Sequence, residues 1–140
     1  MLQSEIEAAL VDPEREPPDL EGVPGWRRLQ DGAPHPEDLR DIVDGVLKVT
    51  RPERVLLFGS GARGEMTEDS DIDILVIDEA PGGTPKLKLA IGNALPMGLR
   101  WTDVLVLTPA GLRKRLHEWE DETLAEVLGE ARTLYERRGG

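Results

Sequence analysis

Three stretches of the chain carry apolar residues at the three- and four-residue spacing of an amphipathic helix. The first begins at Pro36, which suits the first helical turn, and its apolar pattern ends before the next proline. The second begins with Thr84 as the cap and Pro85 as the first helical residue. The third begins after Thr108 and extends to about Gly129. We therefore expect three helical regions.

Short apolar runs separate these helical regions and predict buried strands. They lie at residues 54–58, 71–77 and 101–107, and glycine or proline residues close the first two runs; residues 132–136 are expected to form a last short strand. Because strands and helices alternate along the chain, helices should cover a sheet. The pattern therefore predicts an α/β or α+β fold.

Residues 1–36 differ from this pattern. Six of the eleven prolines fall within residues 12–36, and such a stretch sustains neither a helix nor a central strand. Residues 1–11 carry a short apolar stripe that predicts a marginal helix. We expect residues 1–36 to form an acidic, proline-rich arm, typical of a tail or a partner-docking segment, and residues 37–140 to form one compact domain.

Composition narrows the function classes. The 140 residues suit a single domain. The absence of cysteine excludes disulfides, thiolate metal sites and a cysteine nucleophile. With 28 acidic and 17 basic residues the net charge is −11, which argues against direct binding to nucleic acid or to an anionic membrane. The sequence shows neither a basic leader nor a membrane-length apolar run, so we expect a soluble, cytoplasmic protein.

The glycine-rich segment Gly59-Ser-Gly-Ala-Arg-Gly64 follows the first predicted strand. Taken alone it matches the dinucleotide-binding pattern G-x-G-x-x-G, and an acidic residue, Asp78, lies about 20 positions further on. That fold, however, requires a crossover helix before a parallel return strand. Only 12 residues separate Phe58 from Asp71, and the loop uses half of them. The dinucleotide-binding interpretation is therefore disfavoured.

Carboxylates on the predicted strands favour metal-assisted phosphate chemistry. Asp71 and Asp73 lie two residues apart on one strand, so their side chains point the same way. Asp103 is the one charge in the apolar run that predicts the next strand. Carboxylate oxygens without histidine or thiolate select hard cations, Mg²⁺ first and Mn²⁺ as the alternative. Together with a phosphate-binding glycine loop, these acids predict phosphoryl or nucleotidyl transfer; the alternative is that they simply face water at strand ends.

The combined motif resembles a known family. The sequence G-S-G-A-R-G, followed by Asp71-Ile-Asp73 and then Asp103, is similar to the pattern of nucleotidyltransferases of the DNA polymerase beta superfamily, in particular the minimal nucleotidyltransferases that act as MNT-type antitoxins. The resemblance extends from about residue 54 to residue 136. It implies a polymerase-beta-like fold, with a small mixed β-sheet flanked by helices.

The resemblance also implies residue roles. Gly59 and Ser60 would hold the nucleotide phosphates and Arg63 would lie near the triphosphate. The catalytic and metal-binding residues would be Asp71, Asp73 and Asp103. The last of these would bind the metal nearer the acceptor and help to deprotonate the attacking hydroxyl. Attack at the α-phosphorus of the substrate ATP, with Mg²⁺ as cofactor, would release pyrophosphate.

The acceptor is the most open point of the sequence. In the resembling family, small nucleotidyltransferases pair with a HEPN-type helical RNase toxin and transfer AMP to one of its tyrosines, which makes such a toxin the expected partner. One alternative is a catalytically weak nucleotide-binding module that neutralises or scaffolds its partner by contact alone. Another is transfer to a small molecule such as an antibiotic.

The remaining candidate residues are expected to be structural. His35 is expected to be a loop or cap residue, and His117 a surface residue of a helix. Trp101 should share a strand face with Asp103 and pack in the core. Trp119 lies at helical spacing from two leucines, which indicates a core or interface stripe.

Overall fold

The structure is a computed structural model that describes residues 29–30, 32–67 and 70–137. The strands are β1 (Leu29–Gln30), β2 (Ala33–Pro34), β3 (Arg54–Phe58), β4 (Asp73–Ile77), β5 (Asp103–Leu107) and β6 (Arg132–Glu136). The helices are α1 (Pro36–Val49), α2 (Ser60–Arg63), α3 (Thr84–Ala94), α4 (Pro109–His117) and α5 (Glu122–Glu130), with a 3₁₀ turn at Met97–Leu99. None of the described helices has the length and apolarity that a membrane crossing requires.

Strands β3 to β6 form one mixed sheet, which confirms the expected fold class. Their spatial order is β5-β4-β3-β6; β3 is antiparallel to both of its neighbours, and β4 is parallel to β5. The antiparallel pairing of β3 with β4 rules out a dinucleotide-binding unit around the glycine loop, because that unit needs a parallel return strand.

The alternation of side chains along each strand divides the core between the two faces of the sheet. Val55 and Leu57 point to the face that α1 and α3 cover, where the larger apolar cluster lies. Leu56 and Phe58 point to the opposite face, where α4 and α5 supply the covering leucines. Burial on both faces explains why the strands read as continuous apolar runs.

The helix ends follow the predicted signals with two differences. His35 caps α1, since its ring nitrogen Nδ1 accepts a hydrogen bond from the backbone N–H of residue 37 (3.1 Å), and Thr108 caps α4 in the same way. Thr84, predicted to be a cap, is instead the first residue of α3, and Gly83 precedes it with a φ of 100°. The third helical region is divided in two, because Asp121 caps a separate helix through the N–H of Leu124.

Part of the predicted arm lies in the described structure. Strands β1 and β2 form a small hairpin within the segment interpreted as irregular, and Met66 N donates to the carbonyl of Gly32 at its turn (2.8 Å). Two-residue strands leave no periodic signal, so the sequence could not reveal the hairpin. The predicted helix at residues 1–11 lies outside the described residues.

Candidate active site

A row of three residues crosses the sheet where β3, β4 and β5 meet the glycine loop. In the strand register, Asp73 pairs with Phe58 on one side and with Asp103 on the other. Residues paired in this way present their side chains to the same face. The row therefore brings the carboxylates of Asp73 and Asp103 together on one face of the sheet. This is the face to which Leu56 points, where the smaller apolar cluster lies.

Asp71 joins this pair from the segment that leads into β4. It lies two residues before Asp73 and is exposed. The backbone N–H of Asp103 donates to the carbonyl of Ile72 (2.8 Å), so the parallel ladder continues past the start of β4 to the residue between the two acids. The structure thus gathers all three predicted acids at one end of the sheet.

The surroundings of Asp73 disfavour its ionised form. Partial burial raises the pKa of its carboxyl group, and the negative charges of Asp103 and Asp71 raise it further. The nearby guanidinium of Arg63 opposes this effect but does not cancel it. The ionised form of Asp73 is therefore costly in the folded chain, and a cation beside it would remove that cost.

The glycine loop lies directly against the same carboxylate. Gly59 has a φ of 71°, which favours glycine, and a side chain built on it would collide with Oδ2 of Asp73. Ser60 begins the single turn α2, whose end is closed by Gly64 in the left-handed region and by its N–H bond to the carbonyl of Ser60. Sequence and geometry agree here, because only a glycine leaves room for both the turn and the acid.

Arg63, predicted to lie near the triphosphate, is held by two acids. Its guanidinium bonds to Glu130 at the end of α5 (2.8 Å) and to Glu65 (3.3 Å). The hydrogen bond that Arg63 donates to Glu65 and the charge of Glu130 both raise the pKa of Arg63. The sequence contained no signal for the pair with Glu130, because the two residues are 67 positions apart.

The donor set suits a hard divalent cation in its chemistry. The side chains available are carboxylates, and oxygen ligands of this kind bind Mg²⁺ or Mn²⁺. Within the described part of the chain, no group of three histidine, aspartate or glutamate side chains is arranged to hold a metal ion as it stands. The fit therefore rests on the charge balance around Asp73 rather than on a closed ligand shell.

Trp101, expected to share a strand face with Asp103, and Asp78, the acid of the disfavoured dinucleotide-binding interpretation, both lie elsewhere in the fold. Trp101 does not share a face with Asp103: it lies in the turn before β5 and packs on the cluster beneath α1 and α3, because the strand begins only at residue 103. Asp78 is buried and accepts hydrogen bonds from the hydroxyl of Thr50 (2.6 Å) and the N–H of Ala80 (2.7 Å), so it holds the end of β4. His117 is exposed, as expected, and Trp119 is 61% exposed rather than part of the core.

Comparison with known proteins follows the same residues. The family model described as "Nucleotidyltransferase domain" matches residues 39–136, which include the glycine loop and the three aspartates. A Methanocaldococcus jannaschii protein named "Putative protein adenylyltransferase" is 55% identical over 29 residues, which are 21% of this chain and 29% of that protein. A crystal structure described as "a putative nucleotidyltransferase from Sulfolobus solfataricus" has a TM-score of 0.48 and 24% identity, covering 73% of this chain and 81% of that one.

Proposed function

We propose that this chain, which belongs to the nucleotidyltransferase domain family, transfers AMP from ATP to a hydroxyl group of a partner protein, with Mg²⁺ bound at the aspartates. The observation that carries the proposal is the row in which Asp73 and Asp103 lie side by side, with Asp73 against the backbone of Gly59. A loop that binds phosphate and a pair of acids that bind a cation then meet at one point.

The residues have distinct parts in this proposal. Gly59 and Ser60 hold the phosphates beyond the α-phosphate, and Arg63 contacts the triphosphate after exchanging Glu130 for it. Asp71, Asp73 and Asp103 would hold the cation, which would neutralise charge on the phosphates and lower the pKa of the attacking hydroxyl. The resemblance assigns the hydroxyl proton to Asp103, which is exposed and paired with Asp73 and is therefore accessible to an acceptor.

The reaction balances as a substitution at the α-phosphorus. The acceptor oxygen forms a bond to that phosphorus, the bond to the bridging oxygen of the β-phosphate breaks, and pyrophosphate leaves. The acceptor proton passes to Asp103. Positioning and charge neutralisation supply most of the acceleration in such transfers, which a row of carboxylates beside a backbone loop can provide.

A protein acceptor is supported by the relative from Methanocaldococcus jannaschii, whose name specifies protein adenylyltransfer. The resemblance to minimal nucleotidyltransferases favours a HEPN-type RNase toxin as that acceptor, with this chain as its antitoxin. The second candidate is a catalytically weak module that binds nucleotide and neutralises its partner by contact. One observation favours that candidate: the described acids do not form a preformed three-ligand site.

The test separates the two candidates with ATP labelled at the α-phosphate. A tagged chain, isolated from its native cells with its bound partner, should give a labelled protein in Mg²⁺ and release pyrophosphate, and EDTA should prevent both. Asp73→Asn should abolish labelling while partner binding persists, and Asp44→Asn, an exposed acid of α1, should leave both unchanged. The contact-only candidate would be established instead if the unmodified chain gave no labelled protein and the Asp73→Asn variant still neutralised the partner fully.

A further inference from the structure

The open edge of the sheet lies next to the candidate active site. β5 is the terminal strand of the order β5-β4-β3-β6, and the described part of the chain places no strand beyond it. A strand at the edge of a sheet presents unpaired backbone donors and acceptors that can pair with another chain. The first residue of β5, and so the start of this edge, is Asp103.

The hydrogen bonds of β5 show which backbone groups face outward. The N–H of Asp103 bonds to Ile72, and the carbonyl of Leu107 accepts from the N–H of Asp78, so both residues face β4. Because these groups alternate in direction along a strand, the N–H and C=O groups of Val104 and Val106 face the open edge. Four backbone groups are thus directed to the open edge, beginning with those of the residue next to Asp103.

A groove runs along this edge, and we refer to it as the edge groove. One part, about 440 Å³, lies between the start of α3 and the face of α4, with β5 as its floor, and the part beside Asp103 holds about 470 Å³. The two parts share Lys88, Pro85 and Val104, so they form one channel that leads to the acid. Such volumes accommodate several side chains of a bound segment.

The charge of the edge groove is opposite to that of the chain. Its charged lining consists of Lys88, Lys114, Arg115 and Arg100, together with Asp103 at the site itself. The chain as a whole carries a net charge of −11. Trp119, 61% exposed, completes the rim, with Nζ of Lys114 5.6 Å from its ring centre. An exposed tryptophan between basic groups is typical of a binding surface.

We propose that the edge groove binds an acidic, extended segment of the acceptor protein as an added β-strand, which delivers the acceptor hydroxyl to Asp103. This inference rests on the proposed transfer function for the meaning of the hydroxyl, but the binding itself needs neither nucleotide nor metal. The backbone groups of Val104 and Val106 supply the pairing, and the lysines supply the preference for acidic side chains. A strand of five or six residues spans about 17–20 Å, the length of this edge.

A polypeptide fits this surface better than a nucleic acid does. Alternating N–H and C=O groups match another peptide backbone, whereas a phosphate backbone offers acceptors only and leaves the carbonyls of β5 unpaired. A second copy of this chain is less suitable, because its own β5 edge is flanked by the same basic side chains and would repel them.

The probe is a fluorescent ten-residue peptide in which glutamate alternates with valine, with one tyrosine near its end. Binding is measured by fluorescence anisotropy in EDTA without nucleotide. Two versions of the peptide carry N-methyl groups, each on one of the two alternate sets of amides. Because only one set of amides faces β5 in an added strand, we expect one version to lose binding at least about tenfold and the other to bind normally.

The protein variants test the charge of the groove with matched controls on the same helices. Lys88→Glu with Lys114→Glu should weaken peptide binding by about tenfold or more. The control, Lys86→Glu with Arg113→Glu, changes the net charge equally but alters exposed residues outside the edge groove, and should change binding less than about twofold. Equal losses in both pairs would overturn the proposal, since they would indicate general attraction between the charges.

Four other outcomes would also overturn it. Equal binding of both N-methylated peptides would exclude strand addition. Tighter binding of a fluorescent oligouridine than of the peptide would assign the groove to nucleic acid, and a dimer in analytical ultracentrifugation that Lys88→Glu with Lys114→Glu disrupts would assign it to a second copy. If the groove variants leave AMP labelling of the native partner unchanged, the groove proposal alone is refuted. If the peptide binds but no transfer to the partner occurs, the proposed function alone is refuted.

Discussion

The substitution Asp73→Asn should stabilise the metal-free protein, although it removes a residue of the candidate active site. Partial burial and the neighbouring charges of Asp103 and Asp71 raise the pKa of Asp73. A group whose pKa is raised by folding binds more protons in the folded chain than in the unfolded one. It therefore lowers stability as the pH rises through the interval above the ordinary aspartate value of 3.8.

The magnitude follows from the spacing of the strands. Neighbouring strands lie about 4.8 Å apart. Two unit charges about 5 Å apart repel each other by about 0.8 kcal/mol in water and about 3 kcal/mol at an effective dielectric constant of about 20. Because Asp73 is half-buried and Asp103 exposed, a value near the lower end applies, about 1 kcal/mol. In a chain of this size that corresponds to a rise in Tm of about 3 °C.

The assay is thermal unfolding at pH 7 in EDTA and in Mg²⁺. Asp73→Asn should unfold at a higher Tm than the unmodified chain in EDTA, and the difference should vanish near pH 3. Mg²⁺ at about 100 times its Kd should stabilise the unmodified chain by about 2.7 kcal/mol and leave Asp73→Asn unchanged. Asp44→Asn serves as the exposed-acid control, with no change expected in either condition. A lower Tm for Asp73→Asn in EDTA would refute the electrostatic reasoning.

Three further predictions concern the surroundings of the site. Gly59→Ala should lower the free energy of unfolding by about 2 kcal/mol or more and abolish transfer, because alanine disfavours this φ and its methyl group would collide with Asp73. The control Gly92→Ala, in an open helical position, should raise the free energy of unfolding by about 1 kcal/mol. Equal effects of the two variants in urea unfolding would contradict this prediction. Glu130→Gln should tighten ATP binding by calorimetry by freeing Arg63, and unchanged affinity would show that the pair does not compete with phosphate. Thr50→Val should cost about 1–3 kcal/mol of stability, since it leaves a buried carboxylate oxygen of residue 78 unpaired, yet preserve transfer; loss of transfer in the folded variant would show that the end of β4 positions the site.

Much of the fold could be predicted because the signals are local. The predicted bounds of β3 and β6 agree with the observed strands at both ends. Prolines and capping residues predicted where α1 and α4 begin. The break between α4 and α5 was missed, because the helical spacing of leucines continues across it. Its cause is local backbone geometry, a capping aspartate preceded by a residue with a φ of 48°.

The sequence predicted the candidate acids of the site, but it did not predict the charges that surround them. A spacing of two residues predicted that Asp71 and Asp73 would share a strand face, but β4 begins only at Asp73, so Asp71 lies in the segment before the strand. The register that sets Asp73 beside Asp103 depends on the order of the strands, which no local pattern contains. The ion pair of Arg63 with Glu130 and the basic lining of the edge groove both join segments distant in sequence, so they emerged only from the folded chain.

The most direct test of the central claim is a crystal structure with Mn²⁺ and an ATP analogue whose α- and β-phosphates are joined by a methylene group. The anomalous scattering of manganese locates the ion without reference to any interpretation. We expect a peak in contact with the carboxylates of Asp73 and Asp103, and with Asp71, and phosphate oxygens against the backbone of Gly59 and Ser60. A peak away from these acids, or nucleotide bound elsewhere, would contradict the account.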